Sequence, residues 1–339
     1  MLTYDNEQET TFYEDMQNKE GLDLRDKRGK RHDLSFVLLG VVIGLLRKRD
    51  GQLSSIHRSM VNKHKDLCES LGIDIPKAVS RAQLPRILES VNLILFEELL
   101  FSRFGLKLKE EEKQWFAGDG KELRGSIEKG QNRGEVLVQL IRHEDRAVLG
   151  QAHYNGKKES EKPCLQELIN QKEARTQKIT ADALHLCPAM TGPIEKSGGI
   201  FVIGLKQNQK ELLADMSKHA QCFKAAKELI TIDKGHGRLE KRHYYQYDVR
   251  EEYFDHRWKS THFRSLFKVV RYRTKLKNDR HSIETAYYLS NGKIQKSDEY
   301  FKAIRNHWSV EVNNHVRDVS LQEDQLRTKK SLLLKSWQV

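Results

Sequence analysis

An α/β core behind an all-helical head is the fold class this sequence predicts, and three observations predict it. Residues 1–105 read as helices. From about Lys113 the texture changes to short apolar runs alternating with helical stretches, and residues 231–291 are rich in strand-like segments. The 339 residues allow one to three domains. The expected division is a helical N-terminal domain (1–105), a core (106–230 and 292–339) with a mixed sheet, and a β-rich insertion (231–291) before the last helix of the core.

In the head, residues 1–20 read as a frayed or weakly helical leader. A basic knot follows, Arg25, Lys27, Arg28, Lys30 and Arg31, then an apolar helix over about 34–46. A second helix is expected over 52–71, stopped by Gly72, with Pro76 in the next loop. Ser80 and Gln83 have capping-box spacing and open a third helix that reaches about Phe101, kinked or delayed by Pro85. Such a head binds DNA or serves packing and dimerisation; no recognition helix distinguishes the two.

In the core, 114–118 reads as a strand, and 135–143 with 147–153 as a hairpin about Glu144, Asp145 and Arg146. A helix follows over 161–172, strands over 177–181 and 199–205, and a helix from about Lys210. Three strands, a helix, a strand, a helical stretch and a strand is the order of a ribonuclease-H-like, retroviral-integrase-like core. Its first and fourth strands are neighbours, so Asp119 and Asp182 at their ends converge. Between Asp182 and Glu311 lie 128 residues, too many for a simple connection. Strand-like runs at 241–249, 267–277 and 283–290 fill the middle of them, and a helix over 300–319 carries Glu311.

Composition bounds the chemistry. Hydrophobic residues make up 37% and the formal charge is +12, with a pI near 9.3. The chain has a sizeable core, and its cation excess suits a polyanion held by counterion release; solubility alone is the plainer reading. The four cysteines form no CxxC pair, so neither a zinc knuckle nor a disulfide framework is signalled. The polar N-terminus is no secretory signal, and the apolar run 36–46 is too short for a bilayer. The expectation is a cytoplasmic, nucleoid-associated protein without a membrane partner.

Two strand-end aspartates and a helical glutamate, brought together by folding, can hold divalent ions that activate water and stabilise the leaving oxygen of a phosphodiester. Taken singly, Asp119 reads as an Asp-Gly turn, Asp182 as a helix cap and Glu311 as a solvated position. Arg271, Arg273, Lys275 and Lys277 alternate along a strand, giving one cationic face: a phosphate track, or an edge guarded against aggregation. Lys206, Asn208 and Gln209 follow a strand out of the core and suit phosphate or base contacts, or loop capping. His236 and Arg238 sit among glycines that permit close backbone approach, or merely a tight turn. Trp115, Trp258 and Trp308 read as core or packing residues rather than base-stacking wedges; Trp258, among His256, Arg257 and Lys259, is the one worth testing as a wedge. His185 stands near Asp182.

Five segments occur in order: Asp-Gly-Lys-x-Leu-Arg-Gly-Ser, Ala-Asp-Ala-Leu-His, Gly-Leu-Lys-x-Asn-Gln, Thr-Ile-Asp-Lys-Gly-His-Gly-Arg-Leu-Glu-x-Arg, and His-Trp-x-Val-Glu-x-x-x-His-x-x-x-Asp-Val-x-x-x-Glu-Asp. Together, over about 20–330, the chain resembles the H-repeat-associated (ISAs-type) bacterial DDE transposases of the IS-four-like group. The resemblance implies a catalytic triad of Asp119, Asp182 and Glu311 that binds two Mg²⁺ (or Mn²⁺). It implies cut-and-paste chemistry on double-stranded DNA, at element ends and target, by a homodimer. His307, His315 and Asp318 become candidates for groups behind the triad. Three departures stand out. The wider group has Arg four residues before the glutamate and Lys seven after it, where this chain has His307 and Asp318. Pro188, Gly192 and Pro193 interrupt a helix expected after Asp182. The chain stops at Val339, where the family continues into another apolar helix. Two further readings follow: a truncated, non-catalytic DNA-binding relic, and a stand-alone metal-dependent nuclease.

Overall fold

The computed structural model describes residues 10–48, 52–106, 108, 112–122, 127, 134–154, 161–171, 174–235, 237–277 and 279–319, with the backbone alone at 29, 48, 309 and 316–319. Its contacts divide the chain into two units: Met1–Leu106 with Glu122–Glu135 and Asn314–Val339, and Lys107–Lys121 with Val136–Asn313. Among the described residues, no helix is long and apolar enough to cross a membrane.

The first unit packs α1 (Phe12–Asn18), α2 (Leu34–Lys48), α3 (Leu53–Leu71), α4 (Leu84–Leu88) and α5 (Leu93–Phe104) around a core that includes Leu22, Leu38, Ile56 and Leu84. Two expectations change here. The first nine residues of the leader lie outside those described, and the rest holds a capped helix: Thr11 and Glu14 form a reciprocal capping box, and Phe12, Tyr13 and Met16 are buried. The third helix is two. Pro85 lies in the first turn of α4, the chain turns at Ser90, and Asn92 starts α5 by accepting the N–H of Leu95. Gly72 ends α3 as expected, at φ +65°. Arg25, from the basic knot, is spent inside the unit on Asp23 and the His32 carbonyl.

The second unit is built on one nine-stranded sheet. Its strands are β1 (Trp115–Glu122), β2 (Val136–Arg142), β3 (Val148–Tyr154), β4 (Lys178–Ala181), β5 (Ile200–Leu205), β6 (Lys227–Gly235), β7 (Arg238–Asp248), β8 (Ser265–Lys275) and β9 (Arg280–Ser290). They lie in the order β3-β2-β1-β4-β5-β9-β8-β7-β6. β1, β4 and β5 are parallel neighbours. The strands expected as a β-rich insertion continue this sheet: β9 pairs antiparallel with β5, Val202 opposite Ser290, and β6 begins at Lys227. The open edge of β5 is what they cover.

Among the described residues, five helices flank the sheet: α6 (Glu161–Gln171), α7 (Pro188–Lys196), α8 (Lys210–Cys222), α9 (Glu299–Asn306) and α10 (Ser309–Val319). The helix after Asp182 does form. Pro188 occupies its first turn, where no N–H is needed, and Gly192 lets it approach Ser260, whose Oγ would lie 2.9 Å from an added Cβ. The last helix is again two. The His307 N–H still bonds Ala303, then the chain turns at Trp308 and α10 begins, with Glu311 in its first turn. Val310 of α10 packs with Ala117 and Ile141, while Leu165 of α6 fills the space beside Gly118. Alternation along β1 therefore puts α10 and α6 on opposite faces, with Asp119 on the α10 side.

Candidate active site

The β1–β4 register pairs Gly118 with Ala181. Asp119 and Asp182 follow these partners directly, so two acidic positions stand side by side on strands spaced about 4.8 Å apart. Asp119 lies within β1 rather than at its end, because β1 runs on to Glu122. A cavity of about 720 Å³ opens here, lined by Asp119, Asp182, Lys206, Arg271, His307 and Glu311 among others.

Burial pushes the Asp119 carboxyl up to about 7, and the carboxylates of Glu161, Asp182 and Glu311 add to it against the Gly120 N–H. Burial also opposes ionisation of Asp182. Lys206, with Nζ 2.8 Å from Oδ1, and the Ala183 N–H outweigh it and hold Asp182 below the usual range. Glu311 is raised by burial and by Asp182, with Lys206 and Arg271 opposing. Among the described residues, no three His, Cys, Asp or Glu groups stand at metal-ligating spacing. The triad shares the cavity as a spread cluster.

Glu161, in the first turn of α6, has no place in the sequence reading. It is the strongest charge acting on Asp119, and Gly120 makes room for it: an added Cβ would lie 3.0 Å from its carboxyl carbon. His185 is buried and donates to Glu161 from Nε2 at 3.2 Å. A motif search has no handle on Glu161, because its importance comes from the strand it meets.

The remaining candidates separate. Asn208 donates to the Ala183 carbonyl at 2.7 Å and Gln209 to that of Leu186 at 3.1 Å, so both cap the turn after Asp182. Arg271 pairs with Glu284, and Arg273 Nε lies 3.4 Å from Glu240. Arg238 Nε stands 4.0 Å from the same glutamate. Lys275 ends β8, but Lys277 falls in the following turn and is off the strand, a correction to the four-cation ladder. Register rows Arg242–Arg271–Glu284 and Arg238–Lys275–Arg280 run along the sheet, and the first lines the cavity. His236 lies outside the described residues. His307 lines the cavity, whereas His315 is exposed on α10 and does not. Asp318 is helical, with its side chain outside those described. Trp258 is 3% exposed against Phe263, so it offers no stacking face. Among the described residues, the accessible tryptophan is Trp308, 46% exposed at the cavity wall. Trp115 is partly buried and donates to Glu299 at 2.7 Å.

No family model matches the chain. It is 24% identical over 326 residues to "Putative transposase YncI" of Escherichia coli O157:H7, covering 91% of this chain and 80% of that protein. It is 25% identical over 325 residues to "H repeat-associated putative transposase YhhI" and to "Putative protein YbfL" of Escherichia coli K12, covering 82% of each. Across 91% of its length, then, the chain is similar to bacterial proteins named as putative transposases, one of them H repeat-associated.

Proposed function

We propose that the chain is a DDE transposase that cuts DNA and joins the freed end to a target. One observation carries this: Asp119 from β1, Asp182 after β4 and Glu311 from α10 line a single cavity. The strand order β3-β2-β1-β4-β5 with a parallel β1–β4 centre supports a ribonuclease-H-like core, extended here by four strands beyond β5.

By the chemistry of its donors, though not by their spacing in this structure, the set suits a divalent cation. Asp119 is held near pKa 7 by burial and three neighbouring carboxylates, a cluster whose nearest cation, Lys206, is engaged with Asp182. Hard oxygen ligands of this kind suit Mg²⁺ or Mn²⁺. Asp119, Asp182 and Glu311 would hold two such ions, which when bound lower the pKa of water and stabilise a leaving oxygen. The chain's own part is positional. The β1–β4 register sets the two aspartates abreast, Lys206 keeps Asp182 ionised, and Arg271 and Arg242 stand on the cavity wall where phosphate oxygens would lie. Two DNA ends held together call for a homodimer on DNA.

The test uses labelled DNA from the flanks of the gene, incubated with Mg²⁺. A transposase releases 3′-hydroxyl ends and forms joined products. Cutting without joining identifies a nuclease, and binding without cutting a non-catalytic DNA-binding protein; either result ends the transposase reading.

A further inference from the structure

A buried hydroxyl joins two histidines across the β1–β4 pair. Thr180 of β4 is 2% exposed. Its Oγ1 lies 2.8 Å from His143 Nε2, 3.0 Å from His307 Nδ1 and 3.3 Å from the Phe116 carbonyl oxygen. A hydroxyl has one proton and two lone pairs, and a carbonyl only accepts. Satisfying all three contacts sends the Thr180 proton to Phe116 and requires both imidazoles to donate. The tautomers follow: His143 carries its proton on Nε2, His307 on Nδ1. His143 Nδ1 is then a bare acceptor, and it is buried without a partner among the described residues. The equivalent bare atom of His307 is Nε2, which has no bond among the described residues on a ring that lines the acidic cavity.

We propose that Thr180 locks His307 as the Nδ1–H tautomer, so that His307 Nε2 accepts a hydrogen bond from the attacking hydroxyl and orients it. That hydroxyl is water during cutting and a DNA 3′-hydroxyl during joining, so the assignment rests on the function proposed above. Burial draws His307 down to about 4, with Asp182 opposing and His185 and Lys206 assisting. A ring neutral at physiological pH keeps its lone pair, and so it orients the nucleophile without taking its proton. Thr180 and His143 act through His307 and are positioning residues. His143 also stacks on Trp115 at 6.0 Å, which holds the far end of the chain of bonds.

Selective ¹⁵N-histidine labelling of the full chain reads the tautomer directly. Wild type and Thr180→Ser are expected to show His307 with a protonated Nδ1 and a pyridine-like Nε2. Thr180→Val, of the same shape without the hydroxyl, releases the lock and populates the Nε2–H form. In cutting of labelled flanking DNA at saturation, His307→Ala and Thr180→Val should each be about tenfold or more slower with unchanged DNA affinity, and Thr180→Ser within about threefold of wild type. An Nε2–H tautomer in the wild type overturns the assignment without recourse to any variant. If wild type cuts and His307→Ala cuts equally fast, the orienting role fails alone. A wild type that cuts no DNA overturns the functional reading and takes this role with it.

Discussion

Asp119 is where burial and like charge bear hardest, and its neutral amide isostere separates stability from function. Asp119→Asn removes the repulsion from Glu161, Asp182 and Glu311. In EDTA at pH 8 it should raise stability by about 1 kcal/mol, a figure discounted for partial exposure, read as a higher urea midpoint. It should also lose the Mg²⁺-dependent rise in melting temperature expected of a wild type that binds the ion. Lys206 is exposed and Asp182 half-buried, so Lys206→Ala should change stability by less than about 1 kcal/mol in the same titration. The buried histidines give a pH signature. Burial holds His143 near 3 and His307 near 4. Between those values and the ordinary 6.5 the unfolded chain binds more protons than the folded one. Stability is thus full above about pH 6.5 and falls as pH drops towards 4 and below; His143→Gln should flatten that fall in denaturant titrations. That Asp119, Asp182 and Glu311 would meet was legible at this scale, because each acid sits in a recognisable local string. Glu161 and the Thr180 bridge were not, because nothing adjacent in sequence marks them and their partners come from other strands.

Elements carry these residues into place, and the closest fit is between β1 and α6. Gly118 faces Leu165, whose Cδ1 would lie 2.7 Å from an added Cβ. Gly118→Ala should therefore cost about 1–3 kcal/mol by displacing α6, and Glu161 with it. Leu165→Ala in the same chain should restore part of the loss if the clash is the cause, which thermal melts of the single and double variants would show. The β2–β3 hairpin was legible because polar turn residues punctuate two apolar runs, and Arg146 adopts φ +65° there. The two helix breaks were harder to see. Apolar periodicity continues through Ser90–Asn92 and through His307–Trp308, and the decisive facts are tertiary: a strand bridge from Asp23 to Val91 in one case, the His307–Thr180 bond in the other. The first helix read as only a frayed or weakly helical leader for a similar reason, since its apolar face meets Phe96 and Phe104 far along the chain.

For the molecule as a whole, charge was legible in composition, but its arrangement was not. Arg271 and Arg273 are partly neutralised by Glu284 and Glu240, whereas Lys275 has no ion pair among the described residues. Lys275→Ala should therefore reduce the slope of log affinity against log salt by about 0.9, the value of one phosphate contact. Arg271→Ala, which leaves Glu284 facing the cavity uncompensated, should weaken DNA binding more than a neutral loss would. Filter binding across a salt series distinguishes the two. The continuous sheet was also invisible in sequence, because strand content says nothing of which edge a strand joins. The most direct measurement on the whole protein pairs two assays on wild type and Asp119→Asn: cutting of labelled flanking DNA in Mg²⁺, and gel-shift affinity for the same DNA in EDTA. The expected result is that the variant binds at least as tightly, since one carboxylate no longer repels phosphate, while its cutting falls by orders of magnitude. Equal cutting by both proteins, or a wild type that binds this DNA without ever cutting it, would contradict the assignment of the carboxylate cavity as the site of catalysis.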